Sequence, residues 1–247
     1  MDKKEWHNFS DILKNVLSLE LDPVAINCFK GKVLNSDKAK LRICRAILEA
    51  AEGACFKICK DNNACFGAGW HLGFHEIKDS KVLGMVKKFV VEGEKLFSSY
   101  QALDNLIAQM PEVPDNSECY FELSPLKISE NEPELVVFVC TPETACRLLT
   151  LVTFDDGAMP KIQIGGPTCR MAIMYPLLTG EVNISFYDYT ARKMCGVGKD
   201  KLLISIPYKR IAGIVNSLDK CTAGSAKIEY PQEFREFLKK RLTKQSQ

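Results

Sequence analysis

Apolar residues recur at helical spacing over 6–19, where Trp6, Phe9, Ile12, Leu13, Val16 and Leu17 share one face, predicting an amphipathic first helix. Pro23–Cys28 is a short apolar run and reads as a buried strand. The pattern predicts a helix over 38–51, ended by Gly53, then a strand over Ala54–Cys59 and a polar turn at 60–63 before a helix at or just after Cys65. Helical spacing returns over 81–91 and 96–109 until Pro111 and Pro114 stop it. Tyr120–Leu123 and Leu135–Cys140 read as strands. Thr141-Pro142-Glu143 joins a cap, a first-turn proline and an early acid, starting a helix that runs to about Phe154. A strand is expected at Lys161–Ile164, a helix from Cys169 to near Gly180, and an alternating strand over Val182–Tyr189. Leu202–Ile206 is the last strand, followed by helices over 208–218 and 231–242.

This order predicts an α/β fold, with α+β as the other arrangement open to it: a mixed sheet flanked by helices and built from two similar halves. The halves divide at 1–115, which carries a helical insert, and 116–247, within one compact structural domain. Their likeness rests on two stretches. Cys44-Arg45 opens one, with Lys57-Ile58 and then Cys65; Cys146-Arg147 opens the other, with Lys161-Ile162 and then Cys169. In both, the second cysteine falls seven residues after the isoleucine, which matches Cys65 with Cys169 in an internal duplication.

At 247 residues the chain can bury a substantial core, and its 46% hydrophobic and 26% charged residues are ordinary for a globular protein. A formal charge of +2 gives no reason to expect a nucleic-acid partner. Residues 1–20 alternate charged and apolar positions, so no secretory leader is expected there, and no apolar stretch reaches the roughly 18 residues of a membrane span. A cytoplasmic location is the resulting expectation, with no membrane partner. The eleven cysteines are then expected reduced rather than paired in disulfides.

Eleven thiols exceed what packing requires, so some are candidate ligands or redox groups. A thiol in the first turn of a helix meets unpaired amides and the positive end of the helix dipole, which favour thiolate, the form that ligates metals and attacks electrophiles. That places Cys65 and Cys169 first. Cys55 and Cys59 share the polar face of a strand and are candidate additional ligands, giving a four-cysteine site for an iron–sulfur cluster or zinc. Their spacing matches neither a zinc ribbon nor a ferredoxin run. His71 and His75, at i and i+4, are weaker candidates because the glutamate of a metalloprotease pattern is missing. Cys28, Cys44, Cys140 and Cys146 read as core. Gly165 and Gly166 open the backbone before Cys169, and Arg170 and Arg192 offer contacts to an anion. The stretch Tyr187–Lys193 reads as the wall of such a pocket. No phosphate-binding loop and no nucleophile elbow is present.

The motifs ACFGAGWHLGF at 64–74, VVFVCTPETACRLL at 136–149, CRMAIMYPLLTGEVNISFYDYTARKMCG at 169–196 and DKLLISIP at 200–207, with Pro23-Val-Ala and the Cys44-Arg45 helix, resemble an uncharacterised cysteine-containing family of archaea and bacteria, domain of unknown function one-six-nine. The resemblance spans roughly 10–220 and implies that Cys65, Cys169, Gly180, Arg192 and Pro207 occupy recurring positions. It implies no activity. The residues alone lead to a metal-binding redox protein. A module binding an anionic or tetrapyrrole-like small molecule is the alternative, and a thiol-dependent enzyme acting through Cys169 a third reading. A small-molecule ligand or a redox partner is expected, and the oligomeric state stays open.

Overall fold

A computed structural model of the chain describes residues 4–33, 40–75, 80–224 and 228–244. Six strands form one sheet: β1 Val24–Lys30, β2 Phe56–Cys59, β3 Cys119–Pro125, β4 Leu135–Cys140, β5 Asn183–Ser185 and β6 Leu202–Pro207. Their spatial order is β2-β3-β1-β4-β6-β5, and every ladder between them is antiparallel. The protein is therefore α+β, and the mixed strand directions expected for neighbours are not found. The cause is topological. β1 passes through helix α2 (Ile43–Ala51) to β2, which runs parallel to it, but β3 inserts between the two; β4, helix α6 (Pro142–Val152) and β5 repeat the arrangement around β6.

Both faces of the sheet are covered. In β4, Leu135, Val137 and Val139 face α2 together with Ile43 and Ile47, whereas Val136, Phe138 and Cys140 face the other side with Leu148 and Leu151 of α6. Helix α1 (Glu5–Val16) and helix α9 (Ile211–Ser217) complete that second layer through Leu13, Ile211 and Ile214. Burial on two faces is why β4 reads as an unbroken apolar run, and β6 as one interrupted only by the buried Ser205, instead of alternating.

The sheet order is two-fold about the β1–β4 pair. Val24 pairs with Pro125 in the first half and Leu135 with Pro207 in the second. Pro125 and Pro207 each end their strand at φ −53° and lead into a three-residue 3₁₀ turn, Leu126–Ile128 and Tyr208–Arg210. The first amide of each turn reaches back across the sheet, Leu126 to the Pro23 carbonyl at 2.7 Å and Tyr208 to the Glu134 carbonyl at 3.0 Å. In this order β1, β2 and β3 lie on one side and β4, β5 and β6 on the other.

Cys65 and Cys169 do not correspond under this symmetry. Cys65 follows β2 and caps helix α3 (Phe66–His71); in the second half the residue after β5 that caps a helix is Asp188, at the start of helix α8 (Tyr189–Cys195). Each accepts from the amide three residues on, Ala68 or Ala191. Cys169 precedes helix α7 (Tyr175–Thr179) and β5, in a segment after α6 that the first half replaces by a tight turn at Gly53.

The expected strand at Lys161–Ile164 is absent, and the backbone of Gln163 is satisfied by one side chain. Asn183 Oδ1 accepts from the Gln163 amide at 2.8 Å and its Nδ2 donates to the Gln163 carbonyl at 3.1 Å, which supplies what a neighbouring strand would. The alternating strand over 182–189 stops at Ser185 because Tyr187 takes φ +58°.

Candidate functional site

The segment between β2 and β3 carries α3, helix α4 (Ser80–Lys88) continued by a π-helical turn at Phe89–Gly93, and helix α5 (Tyr100–Ile107). With the Gly165–Cys169 turn and α8 it encloses a cleft of about 1030 Å³ over the N-terminal end of α2. This lies at the upper end of the roughly 300–1,000 Å³ of small-molecule sites. The insert side is apolar, contributed by Trp70, Val86, Phe89, Leu103, Ile107 and Met110. Phe89, Tyr189 and Met194 remain 56%, 71% and 61% exposed at the opening, an arrangement that marks a binding surface more often than free solvent contact.

Cys65 stands in this cleft. Its position before Phe66-Gly-Ala makes it the N-cap of α3, so its Sγ accepts from the Ala68 amide at 3.5 Å. Arg42, the residue before α2, places Nη1 3.7 Å from the same sulfur. Asn63 fixes the cap from below, accepting from the Cys65 amide and donating to its carbonyl at 2.7 Å. Gly69 follows because the His75 ring occupies the place of a side chain: a Cβ there would lie 2.5 Å from His75 Nε2.

Three further thiols line the same cleft from three other elements, Cys44 of α2, Cys169 and Cys195 at the end of α8. Burial pushes the Cys169 thiol up, and Cys65 and Asp188 nearby push it further. Burial likewise raises Cys44, with Cys169, Asp188, Cys195 and Cys65 adding to it. Cys169 and Cys44 are therefore neutral thiols at neutral pH, and Cys169 is a poor nucleophile. Cys44 escaped the sequence reading because a cysteine on an apolar helix face looks like core; only the junction of α2 with α8 makes it a cleft residue.

Three residues of the cleft wall each bury a polar atom without a partner among the described residues, Trp70 Nε1, His71 Nδ1 and Tyr187 Oη. The residues are 3%, 8% and 5% exposed, and the atoms themselves are enclosed behind the wall. Burial, then the Arg170 charge, lowers the His71 pKa to about 3, so this imidazole is neutral near pH 7.

Of the residues singled out in the sequence, Cys65, Cys169, Gly165, Gly166 and His71 meet in the cleft. Gly165 and Gly166 take φ +114° and +78°, conformations that side chains rarely adopt. Tyr187–Ala191 forms wall, as the polar stretch predicts, but Arg192 turns away from it. Its guanidinium donates to the carbonyls of Gly198, Lys199 and Lys201, clamping the loop before β6. Arg170 lies behind the wall, 5.6 Å from the centre of the Trp70 ring and donating to the Pro111 carbonyl at 2.6 Å. Cys55 and Cys59 lie outside the cleft, one just before the start of edge strand β2 and the other at its end, so the four cysteines expected as ligands do not all line it. Among the described residues, no group of three or more His, Cys, Asp or Glu side chains is placed to hold a metal ion.

A second cavity, of about 460 Å³, lies between the end of α1 and the start of α6. Its cations are already engaged: Lys201 pairs with Glu20 and Asp200, and Arg147 donates to the carbonyls of Leu218, Cys221 and Ala223. Among the described residues no helix is long and apolar enough to cross a membrane.

Fold and cleft together define an α+β protein with two sheet halves and one deep apolar site walled by an insert of the first half. The chain belongs to the uncharacterised ArCR family, domain of unknown function 169, whose match covers residues 12–217. That span includes the whole sheet and every wall of the cleft. No curated protein and no solved structure matches the chain.

Proposed function

We infer that the protein binds a small molecule in the cleft between the insert helices and α8. The observation that carries this reading is a roughly 1030 Å³ cavity whose insert side is apolar, of the size small-molecule sites have. The occupant is a largely apolar compound of cofactor size. An anionic head fits less well, because Arg170 and Arg192 are bound to backbone carbonyls and His71 is neutral. The metal-cluster reading has weaker support, since its four cysteines do not converge.

Trp70 is the natural reporter. The chain has two tryptophans, and Trp6 packs on the opposite face of the sheet, so Trp6→Phe leaves Trp70 alone. Titration of that variant with Nile red, a neutral apolar dye, should show saturable energy transfer from Trp70. Val90→Phe, which fills the cavity, should weaken it several-fold. Absence of saturable transfer would overturn the reading. So would stoichiometric iron or zinc in freshly purified protein that is lost on Cys65→Ser.

A further inference from the structure

We propose that helix α10 (Gln232–Lys244) lays the protein on an anionic membrane surface, its aromatic side among the lipid headgroups and its cations on the lipid phosphates. No residue of α10 lines the cleft, so this surface is independent of the small-molecule site.

All of 228–241 is exposed, the apolar residues included. Tyr230, Phe234 and Phe237 keep 47%, 44% and 52% of their surface in water. Their rings form a ladder along one side, Tyr230 stacking on Phe234 at 5.6 Å between centroids and Phe234 on Phe237 at 6.3 Å. Leu238, four residues after Phe234, widens this apolar strip. A helix of this length that is exposed on every side is marginal in water, so the strip needs a cover.

Charge identifies the cover. Residues 232–244 include five basic and two acidic ones, whereas the whole chain carries a formal charge of only +2. The positive charge of the protein is thus concentrated on this helix. Helical spacing sets Arg235 on one edge of the strip, beside Leu238, and Lys240 on the other, beside Phe237. Arg241 lies over the Phe237 ring at 5.6 Å, an apolar stem with a charged tip that reaches from ring depth to phosphate depth. Of the two acids, Glu233 lies in the first turn, and Glu236 accepts from Gln232 at 3.1 Å on the side away from Phe234. A second copy of α10 would oppose like charges. A nucleic acid would engage the cations and leave the stacked rings in water. An anionic bilayer covers rings and cations together, and it needs no spanning helix.

The test is flotation of the full chain with vesicles of phosphatidylcholine alone and of phosphatidylcholine mixed with phosphatidylglycerol. Partition onto the mixed vesicles should exceed that onto the neutral ones about tenfold or more and should fall as salt is raised. Phe234→Ser combined with Phe237→Ser should weaken it about tenfold, and Lys240→Gln combined with Arg241→Gln several-fold. Both variants should leave thermal unfolding unchanged, because the side chains are exposed. Partition no stronger onto mixed than onto neutral vesicles overturns the proposal. So does partition that the double serine variant retains in full, since charge alone then holds the protein. Retention by double-stranded DNA with none on the vesicles overturns it in favour of a nucleic-acid surface. Each of these failures leaves the small-molecule reading standing.

Discussion

Asp188 is the residue on which the cleft wall hangs, and replacing it by alanine should be among the costliest single changes in the protein. One carboxylate oxygen caps α8, accepting from the Ala191 amide at 2.7 Å. The other accepts from the Thr168 amide at 3.1 Å and from its hydroxyl at 2.7 Å, while the Asp188 amide donates to that hydroxyl at 2.8 Å. Thr168 is fully buried and lies one residue before Cys169, so this knot ties the glycine turn to α8. Loss of the cap costs about 1 kcal/mol. Two donors of Thr168 left without water or partner cost about 1–3 kcal/mol each, so the low end of the sum is about 3 kcal/mol. Urea unfolding followed by far-UV circular dichroism should show a midpoint lowered by about 1–2 M at an m-value of 2–3 kcal/mol/M. Asp188→Asn, which keeps one acceptor oxygen, should lose clearly less. In a double-mutant cycle, Thr168→Val should cost less in the Asp188→Ala background than alone. A loss below about 1 kcal/mol for Asp188→Ala would refute the knot as a structural element.

Gly73→Ala should cost about 3 kcal/mol or more, or prevent folding, because Gly73 holds φ +80° and a Cβ would lie 2.2 Å from the Pro114 carbonyl oxygen; thermal unfolding measures it. His71 binds no proton in the folded protein until pH falls to about 3, whereas the unfolded chain takes one below about 6.5. Its contribution is therefore present above pH 6.5 and is lost as pH falls toward 3, at up to about 1.4 kcal/mol per pH unit. His71→Gln should flatten the acid limb of a stability profile by that slope, and an unchanged limb counts against a buried neutral imidazole. Arg192→Ala should lower the melting temperature by releasing the 198–201 loop yet leave Nile red affinity within about twofold. A lost affinity would return Arg192 to the binding site.

The strands and first helices were legible where one local signal dominated. β1, β4 and β6 read as apolar runs because burial on both faces removes alternation. Helix α6 was marked by Thr141-Pro142-Glu143, and its cap bond from the Thr144 amide to Thr141 Oγ1 is present. What was not legible is what depends on a distant partner. Lys161–Ile164 has the apolar content of a strand, but Asn183, some twenty residues on, decides that it pairs with a side chain. The alternation over 182–189 gave no sign that Tyr187 would turn to positive φ. The cysteines mislead for a related reason: seven-residue spacing after an isoleucine is a linear coincidence, whereas correspondence between halves is set by strand order.

That strand order also explains where the larger cleft sits. Each half supplies the same scaffold, a strand, a helix, an edge strand and a return strand, and each could place a capped helix after its edge strand. The first half lengthens its connection after that point, adding α4 and α5, which cannot reach the sheet and must cover something else. The second half lengthens its connection before it, adding the glycine turn and Cys169, and ends its own version at Asp188. The two additions meet over α2, on the face away from α1, α6 and α9. Cys65 and Asp188, each accepting from the amide three residues on, then both line one cavity. Asp188 holds the Thr168 turn and the start of α8 with its two oxygens, whereas Cys65 takes its donors from Ala68 and from Arg42 ahead of α2. The two caps differ because each half lengthens its connection on a different side of its edge strand.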